Sequence, residues 1–135
     1  MSNLSHLFDE KEEKEIFHKD LSYQIVGLAM QVHNELGFGF LEKLYENAMM
    51  VLLAENGIYA EQQVPINVSF HDQIIGEYKP DIIVEQQIIL ELKSQVCIVE
   101  ANKVQTLNYL KATNLKLAIL LNFGKSQLEY KRFVL

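Results

Sequence analysis

The chain has little of several things. It has one cysteine, Cys97, so no intrachain disulfide can form, and this fits a reducing compartment. Its two prolines and six glycines over 135 residues are too sparse for a linker, and no repeat or low-complexity tract interrupts it. The apolar runs are far short of the ~20 residues that span a bilayer. No N-terminal apolar block precedes a small-residue cleavage site. A cytoplasmic protein with no membrane association is expected. Neither GxGxxG nor GxxxxGK[ST] occurs, so nothing supports a cofactor held by a Gly-rich phosphate loop. Arginine is confined to Arg132.

What is present is a chain of ordinary globular composition, 49% hydrophobic and 22% charged. Its length suits one domain over residues 1–135, with a core large enough to need no staples. Residues 1–16 read as a charged N-terminal segment, frayed or forming a solvated helix. The formal net charge is -6. Acids dominate residues 21–100, whereas residues 101–135 carry six bases against Glu129 alone. An acidic chain is a poor non-specific binder of nucleic acid, because Lys and Arg contacts to phosphate dominate that affinity. The basic last quarter allows a local patch.

Hydrophobic periodicity gives the element order. Ile25, Leu28, Ala29, Val32 and Leu36 share one face of a helix from about Phe17, stopped by Gly37. A second helix from about Leu41 to Asn56 carries the stripe Leu41, Leu44, Ala48, Val51 and Leu52 and stops at Gly57. Val64–Phe70 alternates as a strand, and Pro65 places it at or near an edge. A turn at His71-Asp72-Gln73 leads to a strand over Ile74–Lys79. Ile82–Val84 and Ile88–Leu90 flank Glu85-Gln86-Gln87 as a hairpin, apolar on both faces and therefore central. A helix over about 99–113, with Val104, Leu107 and Leu110 near one face, precedes strands over Lys116–Asn122 and Leu128–Val134. The strands before that helix read as a meander of three or four. The expected class is α+β or mixed α/β, a mixed sheet flanked by helices.

The chemistry-bearing stretch is Pro80-Asp81, followed by Glu91-Leu92-Lys93. Glu91 and Lys93 lie two apart in a strand and share a face, opposite Leu90 and Leu92. If Glu85-Gln86-Gln87 is a three-residue loop, Val84 pairs with Ile88 and Asp81 falls opposite Glu91, with Cβ atoms about 5 Å apart. A two-residue loop would pair Asp81 with Leu92 and scatter the cluster. Two carboxylates about 4 Å apart repel by roughly 4 kcal/mol at an effective dielectric of ~20. A divalent cation relieves that repulsion, and paired carboxylates are the usual seat of Mg²⁺. The plainer alternative is an Asp81–Lys93 ion pair with Glu91 leaning to solvent. Cys97 and His33 read as packed residues rather than ligands, and Gly37 and Gly39 as a helix stop and a turn.

Two motifs carry a resemblance. Gly39-Phe40-Leu41-Glu42-Lys43-Leu44-Tyr45 resembles the GxxExxY motif of a family of small prokaryotic proteins. Pro80-Asp81 with Glu91-Leu92-Lys93 resembles the PD-(D/E)XK signature of the restriction-endonuclease-like nuclease superfamily, to which that family is assigned. The likeness runs from about Tyr23 to the C-terminus and includes Val32-His33, Gln63-Val64-Pro65, Leu107-Asn108-Tyr109-Leu110 and Leu121-Asn122-Phe123-Gly124.

The resemblance implies an αβββαβ core and a metal-dependent nuclease acting on DNA or RNA. It implies Asp81 and Glu91 as ligands of Mg²⁺ or Mn²⁺, Lys93 as the catalytic lysine, and Glu42 as a further ligand from the second helix. Gln105 and Tyr109 match a QxxxY pattern beside the site. Tyr45 shares a helical face with Glu42, placed for packing or for substrate. Two other readings stand beside this one. The first is a catalytically silent nuclease-fold module binding nucleic acid or a protein. The second is a subunit that works as a homodimer or with a basic partner.

Overall fold

In the computed structural model of the chain, residues 2–135 are described, with side chains from His18 onward. The elements in chain order are α1 (Ser2–Leu36), α2 (Glu42–Glu55), β1 (Ala60–Gln62), β2 (Ile66–Phe70), β3 (Gln73–Tyr78), β4 (Ile82–Val84), β5 (Ile88–Lys93), α3 (Glu100–Thr113), β6 (Leu117–Asn122) and β7 (Glu129–Val134). The charged N-terminal stretch continues α1. The solvated face expected for its side chains lies outside the described residues.

Five strands form one mixed sheet in the order β1-β4-β5-β6-β7. β5 and β6 run parallel, joined by the α3 crossover, and the other neighbours are antiparallel. As expected of strands covered on both faces, β4, β5 and β6 are buried almost throughout. Alternate residues feed two cores. Ile88, Leu90, Leu92, Leu117, Ile119, Leu121 and Phe123 pack with Ile25, Ala29 and Val32 of α1 and Met49 and Leu53 of α2. On the opposite face Ile89, Ala118, Leu120 and Phe133 pack with Leu110 of α3. Glu91 and Lys93 have the parity of Ile89 and so belong to the α3 face.

Four expectations change. The meander is split. β2 and β3 pair only with each other, as a ribbon with a register shift at Val68/Ser69, while β1, which periodicity missed, supplies the sheet edge. Ile74 and Ile75 of the ribbon face solvent. Pro80, buried and without an N–H, ends the ribbon before β4 begins. The buried stripe of α2 is Tyr45, Glu46, Met49, Leu52 and Leu53, whereas Leu41, Leu44 and Val51 are exposed. The bulk of Tyr45 and Met49 sets the helix rotation. Tyr45 is fully buried, stacks on Phe123 with ring centroids 4.6 Å apart, and donates from its hydroxyl to Gly37 O at 2.6 Å. On α3, Val104 is exposed and only Thr106 and Leu110 are buried. Cys97 is exposed rather than packed.

His33 is packed as expected, stacked on Phe123, with Nε2 2.7 Å from Lys125 O. Gly37 and Gly39 adopt φ +76° and +109°, the left-handed backbone their stop-and-turn reading needs. No helix among the described residues is long and apolar enough to cross a membrane.

Two glycines make opposite demands. A Cβ on Gly124 would collide with the backbone of Gln95, whereas one on Gly27, exposed in α1, would meet nothing within 4 Å. Urea unfolding is expected to show Gly124→Ala destabilised by about 1–3 kcal/mol, the usual cost of overpacking. Gly27→Ala should gain about 0.5–1 kcal/mol. Equal stabilities for the two variants would contradict this packing.

Candidate active site

The loop Glu85-Gln86-Gln87 has three residues and closes with Gln87 N–H donating to Val84 O at 2.9 Å. Glu85 and Gln86 take φ of +52° and +56°. The register is Val84↔Ile88, Ile83↔Ile89 and Ile82↔Leu90. Continued by one residue, it sets Asp81 beside Glu91, the outcome of the odd loop length.

The two carboxyls interlock with the backbone. Asp81 N–H donates to Glu91 Oε1 at 3.3 Å, and Leu92 N–H donates to Asp81 Oδ2 at 2.8 Å. Tyr78, at the end of β3, donates its hydroxyl to Glu91 Oε1 at 2.5 Å. Both hydrogen bonds to Glu91 therefore fall on Oε1, and among the described residues Oε2 receives none. Lys93 is half-buried on the same strand face. It makes no salt bridge among the described residues, yet its charge acts on Glu91. The simple Asp81–Lys93 ion pair is thus not the arrangement found.

The helical acid nearest this pair is Glu46, which sequence reasoning passed over. It is buried at 4% exposure. Gln63 Nε2 bridges it to the site, donating to Glu46 Oε1 at 3.1 Å and to Asp81 Oδ1 at 3.3 Å. Gln62 Nε2 and Lys43 Nζ both donate to Glu46 Oε2, at 2.6 and 2.9 Å. Glu42, one turn earlier, is exposed and makes none of these contacts, though its charge still reaches Asp81. Both acids line an open cleft of about 450 Å³ with Phe40, Leu41, Lys43 and Ser94, the residue after Lys93. The available signal for Glu46 was its i,i+4 spacing from Glu42 beside the buried Tyr45. Tyr109 lies at the site, its ring stacked on Tyr78. Gln105 is exposed on α3 and is not drawn into these hydrogen bonds.

The strand ends behind Lys93 are fixed by Asn122, fully buried beside it in the parallel register. Its Oδ1 accepts from Gln95 N–H at 3.0 Å and Gly124 N–H at 3.1 Å, and its Nδ2 donates to Gln95 O and Glu129 Oε1, each at 3.0 Å.

Electrostatics agree with the geometry. Burial, and then the charge of Asp81, push the Glu91 carboxyl up to about 7, against partial relief from its hydrogen bonds and Lys93. Asp81 is raised by burial and by the charges of Glu46 and Glu42. Carboxylates crowded in this way fit a hard divalent cation, which takes oxygen ligands, keeps several waters and needs few protein donors. Asp81 and Glu91 supply two such donors. No group of three or more His, Cys, Asp or Glu among the described residues is arranged to hold a metal alone.

The folded state holds the Glu91 proton more tightly than the unfolded chain, whose ordinary value is 4.5. Stability therefore falls as pH rises from about 4.5 to about 7 and levels off above, by on the order of 3 kcal/mol. In metal-free buffer, urea unfolding is expected to give a more stable protein at pH 5 than at pH 8. Glu91→Gln should remove most of the difference, and an undiminished slope in that variant would refute the assignment.

Comparison with known proteins bears on the family and the fold. Residues 19–133 match the family model described as the PD-(D/E)XK nuclease superfamily. Among solved structures, the chain is similar to the one described as the crystal structure of SSO0001, at 15% identity and a TM-score of 0.55, covering 93% of this chain. It is also similar to an alkaline exonuclease (LHK-Exo) from Laribacter hongkongensis, at 16% identity and a TM-score of 0.41, covering 68% of this chain. The chain spans 61% of the first and 55% of the second. No curated protein matches it. With 115 consecutive residues under the family model, Asp81, Glu91 and Lys93 among them, the chain belongs to the PD-(D/E)XK nuclease superfamily.

Proposed function

We propose that the chain is a metal-dependent nuclease of the GxxExxY type, hydrolysing phosphodiester bonds of DNA or RNA at an Asp81-Glu91-Lys93 site. Nucleases of this superfamily generally use divalent metals. The observation that carries the reading is the β4–β5 register, which sets two carboxyls, each raised above its ordinary value chiefly by burial, side by side with a lysine on the same strand face.

Asp81 and Glu91 would hold Mg²⁺ or Mn²⁺, and Glu91 Oε2 accepts no hydrogen bond among the described residues. When bound, such a cation stabilises charge on the phosphodiester and acidifies water. Lys93 Nζ neutralises phosphate charge, or orients and helps deprotonate the attacking water. Glu46 acts at one remove, since Gln63 ties its carboxyl to Asp81 Oδ1 and fixes that side chain's rotation. Glu42 faces the open cleft, where it meets incoming substrate or a solvated cation rather than closing the carboxylate pair. Tyr45 serves packing.

Purified protein with Mn²⁺ or Mg²⁺ is expected to cleave DNA or RNA. Asp81→Asn, Glu91→Gln and Lys93→Ala should each lower the rate by about 10²-fold or more. Glu46→Gln should cost about tenfold, as an outer partner of a ligating carboxylate does. Residual activity equal in all variants would mark a contaminant and defeat the proposal.

A second reading, the catalytically silent module, draws on the net charge of -6 and on a Glu91 held toward its neutral form. A homodimer or a basic partner would supply the phosphate contacts that this acidic chain lacks. Divalent binding that depends on both Asp81 and Glu91 separates the nuclease from the silent module. Chromatographic size with and without nucleic acid separates a lone enzyme from a subunit.

A further inference from the structure

The β2–β3 ribbon is exposed over most of its length, with Phe70, Ile74 and Ile75 in solvent. Its root is different. Tyr78, the last residue of β3, is half-buried and makes two specific contacts. Its hydroxyl donates to Glu91 Oε1 at 2.5 Å. Its ring lies on the Tyr109 ring of α3, with centroids 3.3 Å apart and planes 21° apart. Burial and the neighbouring carboxylates keep both phenols protonated, so Tyr78 stays a donor across the pH range in which the carboxyls ionise.

The terminal torsion of a glutamate is soft and broad, so an unheld carboxyl turns freely. Glu91 is held by two donors on one oxygen. The second, Asp81 N–H, sits at 3.3 Å and is the longer of the two. The Tyr78 hydroxyl, on the shorter hydrogen bond, is therefore the main restraint on the rotation of the carboxyl. It is also a neutral donor. A lysine or arginine in its place would hold the carboxyl equally well but would cancel the charge that attracts a cation.

Resting on the metal site proposed above, we infer that Tyr78 is a positioning residue. It fixes the rotation of the Glu91 carboxyl by holding Oε1, leaving Oε2 as the oxygen that would serve a cation together with Asp81, and Tyr109 clamps Tyr78 in that pose. The ribbon thereby contributes to the site through one hydroxyl, and the tyrosine of the QxxxY pattern acts by ring stacking rather than by touching substrate.

The test is calorimetric titration with Mn²⁺ alone, in the absence of nucleic acid, on the unaltered chain, Tyr78→Phe and Glu91→Gln. Tyr78→Phe keeps the ring on Tyr109 and removes only the hydroxyl. It should weaken Mn²⁺ binding at least tenfold, within the 10–100-fold range typical of outer partners of metal ligands. Its melting temperature should stay close to that of the unaltered chain, whereas a purely structural tyrosine would move the melting temperature and leave the affinity alone. Affinity within twofold in Tyr78→Phe, with binding lost in Glu91→Gln, overturns the inference and leaves the Asp81–Glu91 site standing. Unchanged binding in Glu91→Gln, or none in the unaltered chain, overturns the metal site and the role of Tyr78 with it.

Discussion

Side chains alternate across a strand with a period of two, so a slip of one residue between β4 and β5 would send the slipped strand's set to the other face of the sheet. Asp81 and Glu91 would then part, one toward α3 and the other toward α1 and α2. What prevents the slip is small. Two non-glycine residues, Glu85 and Gln86, accept left-handed backbone within the three-residue loop that sets the register. The strain is offset by the fully buried apolar pairs Ile82/Leu90 and Val84/Ile88, which fit their core in this register alone. The site is thus a by-product of core packing, with the hydrophobic contacts deciding where the charges go.

The charges themselves are poorly compensated. Asp81, Glu91 and Glu46 gather within one hydrogen-bonded network whose protein donors are mostly neutral: the Gln62 and Gln63 amides, the Tyr78 hydroxyl and backbone N–H groups. Lys43 meets Glu46 at the periphery and Lys93 is felt by Glu91. Neutral donors orient carboxylates without cancelling their charge. A network built in this way rests on protonation or on a cation, and the upward displacement of both Asp81 and Glu91 is the signature of that demand.

The sequence was most legible where local rules act alone. Gly37, Gly39 and Gly57 mark turns by their backbone freedom, the β4–β5 hairpin follows from two apolar runs, and the ExK spacing puts Glu91 and Lys93 on one face. It was least legible where tertiary packing chooses between equivalent patterns. The α2 sequence has apolar residues on several sides, so the stripe read through Leu41, Leu44 and Val51 competes with the one through Tyr45, Met49 and Leu53, and packing across the core, Phe123 included, decides. Glu42 and Glu46 share one helix face a turn apart, and Glu42 stays exposed at the first residue of the helix while Glu46 is buried. β1 is three residues long, too short for periodicity to register. The ribbon alternates well enough to read as part of the sheet, and its separation depends on Pro80 and on partners far along the chain.

The two walls of the site differ in what holds them. Behind Lys93, a fully buried amide, Asn122, makes four hydrogen bonds that join the exits of β5 and β6, and Gly124 lies so close to Gln95 that no side chain fits between them. In front, the root of the ribbon is tied to Glu91 by one hydroxyl and to α3 by one ring stack. Parting the rear seam strips a buried amide of four partners, whereas lifting the ribbon breaks one hydroxyl hydrogen bond and uncovers the buried Glu91 carboxyl. The seam beside Lys93 is therefore the more heavily cross-tied of the two edges, and the ribbon edge hangs on fewer polar contacts.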